Sequence, residues 1–100
     1  MTEMEEQVEY IVPNTVYEQL VTMALREIPG VAGTRGRGIV VRRAGEALAV
    51  EVHIAGYFGD NLEQLALTVQ QHVSTALETM GEPESLAVQV TIEDLVLKEK

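Results

Sequence analysis

The segment from Glu27 to Gly33 reads EIPGVAG and separates a helical pattern before it from strand-like patterns after it. Proline cannot donate a backbone hydrogen bond within a helix, and it disfavours helical geometry in the residue before it. Gly30 can then take the positive φ with which a chain leaves a helix sharply. We therefore predict that a first helix ends at this segment and that Val31 returns to the core after the turn.

The residues before this turn predict one strand and one helix. Apolar residues recur at helical spacing from Val16 to Ile28, with a single polar stripe between them, and Asn14 is predicted to cap that helix. The alternation from Val8 to Val12 predicts a short strand. Residues 1–7 are rich in glutamate, and we expect them to form a disordered acidic N-terminus.

The residues after the turn predict a glycine-rich loop and then a hairpin. The loop extends from Gly33 to Gly38. Strands are predicted from Ile39 to Arg43 and from Ala47 to Ala55, joined by a turn at Ala44-Gly45, where Gly45 can take a positive φ. In the second strand, large apolar residues alternate with smaller or polar ones, which indicates one buried face and one half-polar face.

The last third of the chain predicts a second helix and a final strand. A continuous apolar stripe extends from about Asn61 to Met80, and a glycine and a proline follow it. Asp60 and Glu63 have the spacing of a capping box at its start. Residues 86–93 alternate between apolar and polar and predict the last strand.

Together these elements predict an α+β fold with β-α-β-β-α-β order. Two amphipathic helices and half-polar strands imply a two-layer sandwich, with both helices on one face of a mainly antiparallel sheet. The length of 100 residues fits one domain, which we place at residues 8–97.

Composition excludes several classes of function. The chain has no cysteine, so it has no disulfide, thiolate zinc site or cysteine nucleophile. The net charge of −9 opposes nucleic-acid binding, although Gly33-Thr34-Arg35-Gly36 fits the G-x-x-G pattern of KH domains. No stretch is long and apolar enough for direct membrane insertion, and the glutamate-rich start does not fit a secretory signal.

No pattern in the chain is typical of a catalytic or metal site. His53 and His72 are the only histidines, and their spacing matches no ligand motif. Asp60 and Glu63 are explained by helix capping rather than by acid–base chemistry. We therefore expect no enzyme activity and no cofactor.

Four of the seven basic residues lie within nine positions, at Arg35, Arg37, Arg42 and Arg43. One interpretation is a site for an acidic partner, since arginine binds carboxylates and phosphates in a fork. The other is a solvated loop whose arginines balance nearby glutamates, since charged side chains at a protein surface are usually solvated.

Three apolar residues form a second candidate for partner binding. Tyr57 and Phe58 lie in a glycine-flanked loop before the second helix, and Leu67 falls on the polar side of that helix. One interpretation is that the three residues form a contact patch. The other, equally compatible with the sequence, is that the two aromatics cover the end of the core and that Leu67 is a singly exposed leucine.

Over about residues 8–95 the chain resembles the bacterial alkaline-shock, or general-stress, envelope protein family. The resemblance rests on a signature-like segment and on the order of the elements around it: Arg26 to Gly33, Tyr10-Ile11-Val12-Pro13, Gly38 to Val41, Leu48 to Ile54, Asp60-Asn61-Leu62, and Val88 to Glu93 followed by Asp94-Leu95. The basic loop after Gly33 and the absence of long polar tails depart from the family pattern.

The resemblance implies a non-enzymatic, cytoplasmic envelope-stress-response protein. Such a protein would self-associate as a homo-oligomer or dock on a protein partner anchored in the membrane. The alternative that the resemblance implies is a small binding module that regulates an enzyme of fatty-acid or lipid synthesis.

Overall fold

A computed structural model of the chain describes residues 12–79 and 85–98. The elements in these ranges are helix α1 (Asn14–Arg26), strands β1 (Gly33–Ala44) and β2 (Ala47–Tyr57), helix α2 (Leu62–Glu78) and strand β3 (Ser85–Val96). The predicted α+β class is confirmed. The predicted acidic N-terminus, the first strand up to Ile11 and the residues predicted to stop α2 lie outside the described residues.

The turn after α1 forms where the sequence predicts it, but with a different backbone conformation. Glu27 caps the helix in the right-handed region, and the Val31 N–H donates to the Ile28 carbonyl at 3.1 Å around Pro29-Gly30. The prediction of a positive φ at Gly30 is wrong, because this glycine is not among those with positive φ. A Cβ at Gly30 would lie 3.0 Å from Leu65 Cδ1, so close packing of α2 accounts for the glycine.

The sheet has the strand order β1-β2-β3 and is mixed. β1 and β2 form an antiparallel hairpin, with Gly45 in the turn at a φ of +62°, as predicted. β2 and β3 are parallel, since α2 carries the chain back to the start of the sheet between them. We expected a mainly antiparallel sheet, and the described strands form one antiparallel pair and one parallel pair.

Both helices pack on one face of this sheet, which confirms the two-layer arrangement. The strand-borne part of the core is contributed mainly by β2, and the helices contribute one stripe each. The buried members are Val21, Ala24, Leu25, Ile28, Val41, Leu48, Val50, Val52, Ile54, Leu65, Val69, Val73 and Leu77. Among the described residues no polar or charged side chain is buried with them.

The helix caps differ from those predicted by one residue. The side chain of Asn61, not Asp60, caps α2 by accepting from the Gln64 N–H at 3.0 Å. Asp60 instead accepts from Lys98 Nζ at 2.9 Å. Asn14 is the first residue of α1 and gives no cap; its amide donates to the Val41 carbonyl at 3.2 Å and ties the helix to β1.

Candidate interaction surface

The face of the sheet opposite the helices is polar and carries no helix in the described structure. We call it the open face. Its residues alternate with the core residues along each strand, and the register places Ala49 between Arg42 and Ala87. Two residues further along β2, Glu51 lies between Val40 and Gln89. The helices cover the other face, so these side chains are the ones that the sheet presents outward.

A bulge of β1 covers part of the open face. The register moves from Thr34 opposite Ile54 to Ile39 opposite Val52, so residues 35–38 together oppose the single residue His53. The predicted glycine-rich loop is thus a bulged part of β1. Gly36 has a φ of +57°, and a Cβ there would lie 2.6 Å from a carboxylate oxygen of Glu93 on β3. Because β1 and β3 are not neighbours in the sheet, the bulge must lie across β2.

The bulge encloses a histidine between two carboxylates. His53 Nδ1 lies 2.5 Å from Glu93 Oε2, and His53 Nε2 lies 3.3 Å from Glu51 Oε1. The imidazole is only 12% exposed. Arg42 donates to the second Glu51 oxygen at 2.7 Å. Hydrogen bonds from His53 and then from Arg42 lower the pKa of the Glu51 carboxyl below its ordinary value.

This geometry holds the sheet together more readily than it could hold an ion. The two ring nitrogens of His53 are directed at different carboxylates, so the three side chains do not converge on one point. Within residues 12–79 and 85–98 no group of three or more potential ligands could hold a metal. His72 lies on α2, where its Nδ1 is 3.1 Å from the Thr68 carbonyl.

The four arginines do not form one cluster. Arg35 donates to Asp94 Oδ2 at 3.2 Å across β2, and Arg42 binds Glu51 on the open face. Arg43 points to the other side of β1, where it donates to the Val12 carbonyl at 2.7 Å and lies 5.8 Å from the Tyr17 ring centroid. Arg37 lies exposed in the bulge and makes no ion pair with a described residue. Three of the four side chains are therefore bonded within the chain itself.

An exposed apolar cluster lies at the end of the sheet where β2 and β3 finish. Phe58 follows β2 directly, and its N–H donates to the carbonyl of Val96, which lies between Leu95 and Leu97 in the sequence, at 2.9 Å. Phe58 is 66% exposed, Leu95 42% and Leu97 73%. We call Phe58, Leu95 and Leu97 the sheet-end cluster.

The predicted trio of Tyr57, Phe58 and Leu67 is divided by the structure. Tyr57 is half-buried, and the Lys98 ammonium lies 5.8 Å from its ring centroid. Leu67 is 47% exposed on the side of α2 away from the core, more than one turn into the helix. Sequence reasoning missed Leu95 and Leu97, although an apolar Leu-Val-Leu run within a charged ending was a visible signal.

The sequence of this chain matches that of a known protein family. The family model of the alkaline shock protein family, described as having a cell envelope-related function, matches residues 2–97. The chain belongs to the alkaline shock protein family. This confirms the family resemblance seen in the sequence. No curated protein matches the chain significantly.

Solved structures confirm the fold of this alkaline-shock-family chain. It is similar to the MamB CTD magnetosome protein of Desulfamplus magnetovallimortis BW-1, with a TM-score of 0.65 and 16% identity over 85% of this chain and 98% of that one. It is also similar to a MamM CTD, with a TM-score of 0.55 and 22% identity over 87% of this chain and 100% of that one. A copper form of a MamM CTD gives a TM-score of 0.55 and 20% identity, with the same coverage. At such identities the likeness concerns the fold alone.

One finding bears on the relation to membranes. No helix in the described ranges has the length and apolar character needed to cross a bilayer.

Proposed function

We propose that this alkaline-shock-family protein is a non-enzymatic interaction module of the cell envelope. It acts on the cytoplasmic side, by associating with itself or by docking on a partner that is anchored in the membrane. The family's cell envelope-related function supports the setting. The single observation that carries the mode of action is the sheet-end cluster.

The sheet-end cluster has the composition of a contact surface. Phe58 and Leu97 each leave about two-thirds or more of their surface in water, and Leu95 is paired with Gly56, two residues before Phe58. Apolar side chains that gather at one place on a surface mark sites of protein or membrane contact, whereas single ones are common. The Asp60–Lys98 ion pair lies beside the cluster, which gives the polar rim that is usual around such contacts.

The charge of the chain suits a membrane-anchored partner. Segments next to the cytoplasmic end of a membrane span are rich in lysine and arginine. A domain with a net charge of −9 attracts such a segment and steers it into contact. Of the four arginines predicted to bind an acidic partner, we retain only Arg37, as a contact for an acidic group of the partner, because the other three bond within the chain.

The arrangement around His53 supports a structural rather than a chemical role. This is the most enclosed of the described histidines, and both ring nitrogens lie close to carboxylates. The bonds of His53 to Glu51 and Glu93 join β2 to β3, and Arg42 joins Glu51 to β1, so the open face is fixed in shape.

Substitution in the sheet-end cluster tests the proposal. Phe58→Ser and Leu97→Ser should each weaken binding to the captured envelope partner about tenfold to a hundredfold, since losing one buried apolar side chain costs about 1.5–3 kcal/mol. The partner is captured from native cells with the membrane fraction included, then purified for titration. Thermal melting of each variant checks that the fold is kept.

Leu67→Ser is the matched control, because Leu67 is also an exposed leucine but lies on the outer side of α2. Loss of binding in the Leu67 variant, with normal binding by the Phe58 and Leu97 variants, would contradict a contact at the sheet end. Capture of a lipid-synthesis enzyme instead of a membrane-anchored protein would favour the regulatory alternative.

A further inference from the structure

We propose that β3 pairs with β3 of a second copy, antiparallel and centred on Gln89, so that two three-stranded sheets join into one. This inference rests on the proposed self-association and assigns it to the outer edge of β3, which leaves the sheet-end cluster to the membrane-anchored partner. The partner is a second copy of this chain, and the contact is made by backbone hydrogen bonds together with a row of apolar side chains.

The outer edge of β3 is open to pairing. β3 is 12 residues long and hydrogen-bonds to β2 on one side, and the described structure places no strand on its other side. Proteins that keep such an edge unpaired place lysine, proline or an inward charge on it. From Ser85 to Ile92 the strand reads SLAVQVTI, with no charge and no proline. The edge therefore lacks the residues that prevent strand addition.

Symmetry limits how two copies of this edge can meet. A two-fold axis that brings two β3 edges together antiparallel must be perpendicular to the sheet, so both copies keep their helices on the same side. Residues that face α2 must then lie opposite residues that face the partner's α2. In the regular part of β3 these are the even-numbered residues, which pack against the core yet remain partly exposed: Leu86, Val88, Val90 and Ile92.

Only one of the central registers pairs all four of these side chains with each other. Centred on Gln89, Leu86 lies opposite the partner's Ile92 and Val88 lies opposite the partner's Val90. Cross-strand pairs of β-branched and aliphatic residues stabilise a sheet, and here they also remove the remaining exposed apolar surface.

The two neighbouring registers pair the apolar side chains of β3 less completely. Centred on Val88, Ile92 would extend past Ser85, the first residue of the partner's β3, and would have no partner within that strand. Centred on Val90, Leu86 would reach past the register shift that follows Ile92 on β3. Both leave an apolar side chain without an apolar partner.

The polar side of the same register is also compatible. Gln89 lies opposite the partner's Gln89, where two amides can hydrogen-bond, and Ala87 lies opposite the partner's Thr91. Glu93 falls opposite a serine, so like charges do not oppose each other. The Val88 carbonyl now accepts from the exposed Gln70 side chain at 3.3 Å, which backbone donors of a second strand can replace.

Cysteine cross-linking of the full chain tests this register, because the protein has no cysteine of its own. Directly opposite residues have Cα atoms about 4.5–5.5 Å apart, which a disulfide can bridge. Gln89→Cys should therefore form a disulfide-linked dimer on mild oxidation. Position 89 is exposed on the open face, so the core is untouched.

Thr91→Cys is the matched control, two residues along on the same face. In the proposed register its two copies lie about 13 Å apart along the strands, beyond disulfide reach. Gln89→Cys should cross-link about tenfold faster or more, given that geometric limit. A mixture of Ala87→Cys and Thr91→Cys should give the mixed dimer, although neither variant dimerises readily alone.

Equal rates for Gln89→Cys and Thr91→Cys would overturn the proposal. The proposal would also be overturned if Gln89→Cys cross-linked only after deletion of residues 1–11, because that result would mean that these residues occupy the edge in the intact chain. Light scattering of the wild-type chain distinguishes a failure of this edge pairing from a failure of the proposed self-association. An oligomer whose Gln89→Cys variant does not cross-link associates through another surface, and the proposed function stands while this inference fails.

Discussion

Replacing Gly36 with alanine should destabilise the protein more than the same change at Gly45. The two glycines have nearly equal φ angles of +57° and +62°. Alanine in this left-handed region costs about 1–2 kcal/mol at either position. A Cβ at Gly45 would meet nothing within 4 Å, whereas at Gly36 it would lie 2.6 Å from a Glu93 carboxylate oxygen. Gly45→Ala thus measures the conformational cost, and Gly36→Ala adds the cost of moving Glu93.

The additional cost depends on how firmly Glu93 is held. A free side chain would swing away at little cost, but this carboxylate lies 2.5 Å from His53 Nδ1. A hydrogen bond to a charged group contributes about 1.5–3 kcal/mol, and partial exposure reduces that value. We therefore expect Gly36→Ala to lower the free energy of unfolding by about 1 kcal/mol more than Gly45→Ala does.

Urea denaturation of both variants measures the difference, and a double-mutant cycle assigns its cause. In a Glu93→Ala background the carboxylate is gone, so the cost of Gly36→Ala should fall to that of Gly45→Ala. Equal costs in the wild-type background, or a cost at Gly36 that Glu93→Ala leaves unchanged, would refute the view that the bulge packs on the carboxylate held by His53.

Two further changes test the open face and the core. Because the pKa of Glu51 is lowered in the folded protein, its carboxylate stabilises the fold above the ordinary pKa near 4.5, and this stabilisation is lost as the pH falls through the lowered pKa. Glu51→Gln should therefore lower the free energy of unfolding at neutral pH. In denaturation series below about pH 4.5 the difference between this variant and the wild type should shrink. Glu46→Gln in the exposed hairpin turn is the control, and its free energy of unfolding should stay at a constant difference from that of the wild type across the pH series. Val69→Asp should prevent folding, as judged by circular dichroism, because Val69 is fully buried and an unpaired buried charge costs several kcal/mol. Leu67→Asp on the outer side of the same helix should change the stability by about 0.5 kcal/mol or less, and a folded Val69 variant would show that the core is misassigned.

The parts of the fold that could be predicted from sequence depend on local periodicity. The apolar stripe of α2 and the alternation in β2 survive in the structure, since each pattern is repeated over many residues. The cap of α2 was misplaced by one residue because Asp60 and Asn61 are both good caps, and a distant lysine engages Asp60. The parallel pairing of β2 with β3 was not predicted, because strand pairing is set by packing that sequence spacing does not encode.

The candidate surface was predicted less well for the same reason. Phe58 could be singled out from its loop, but its neighbours Leu95 and Leu97 are about 40 residues away in sequence. The clustering of arginines along the chain did not carry over to space, because Arg42 and Arg43 point to opposite sides of β1. The position of His53 between Glu51 and Glu93 depends on strand register and on a bulge, which local patterns do not reveal.

Photo-cross-linking in native cells tests most directly whether this protein works through protein contacts at the end of its sheet. A photo-reactive amino acid replaces Phe58 in the sheet-end cluster or Glu46 in the hairpin turn at the opposite end of the sheet. Light should give a discrete adduct from position 58 with a protein of the envelope fraction, and little from position 46. Adducts of equal yield from both positions, or none from position 58, would contradict the account.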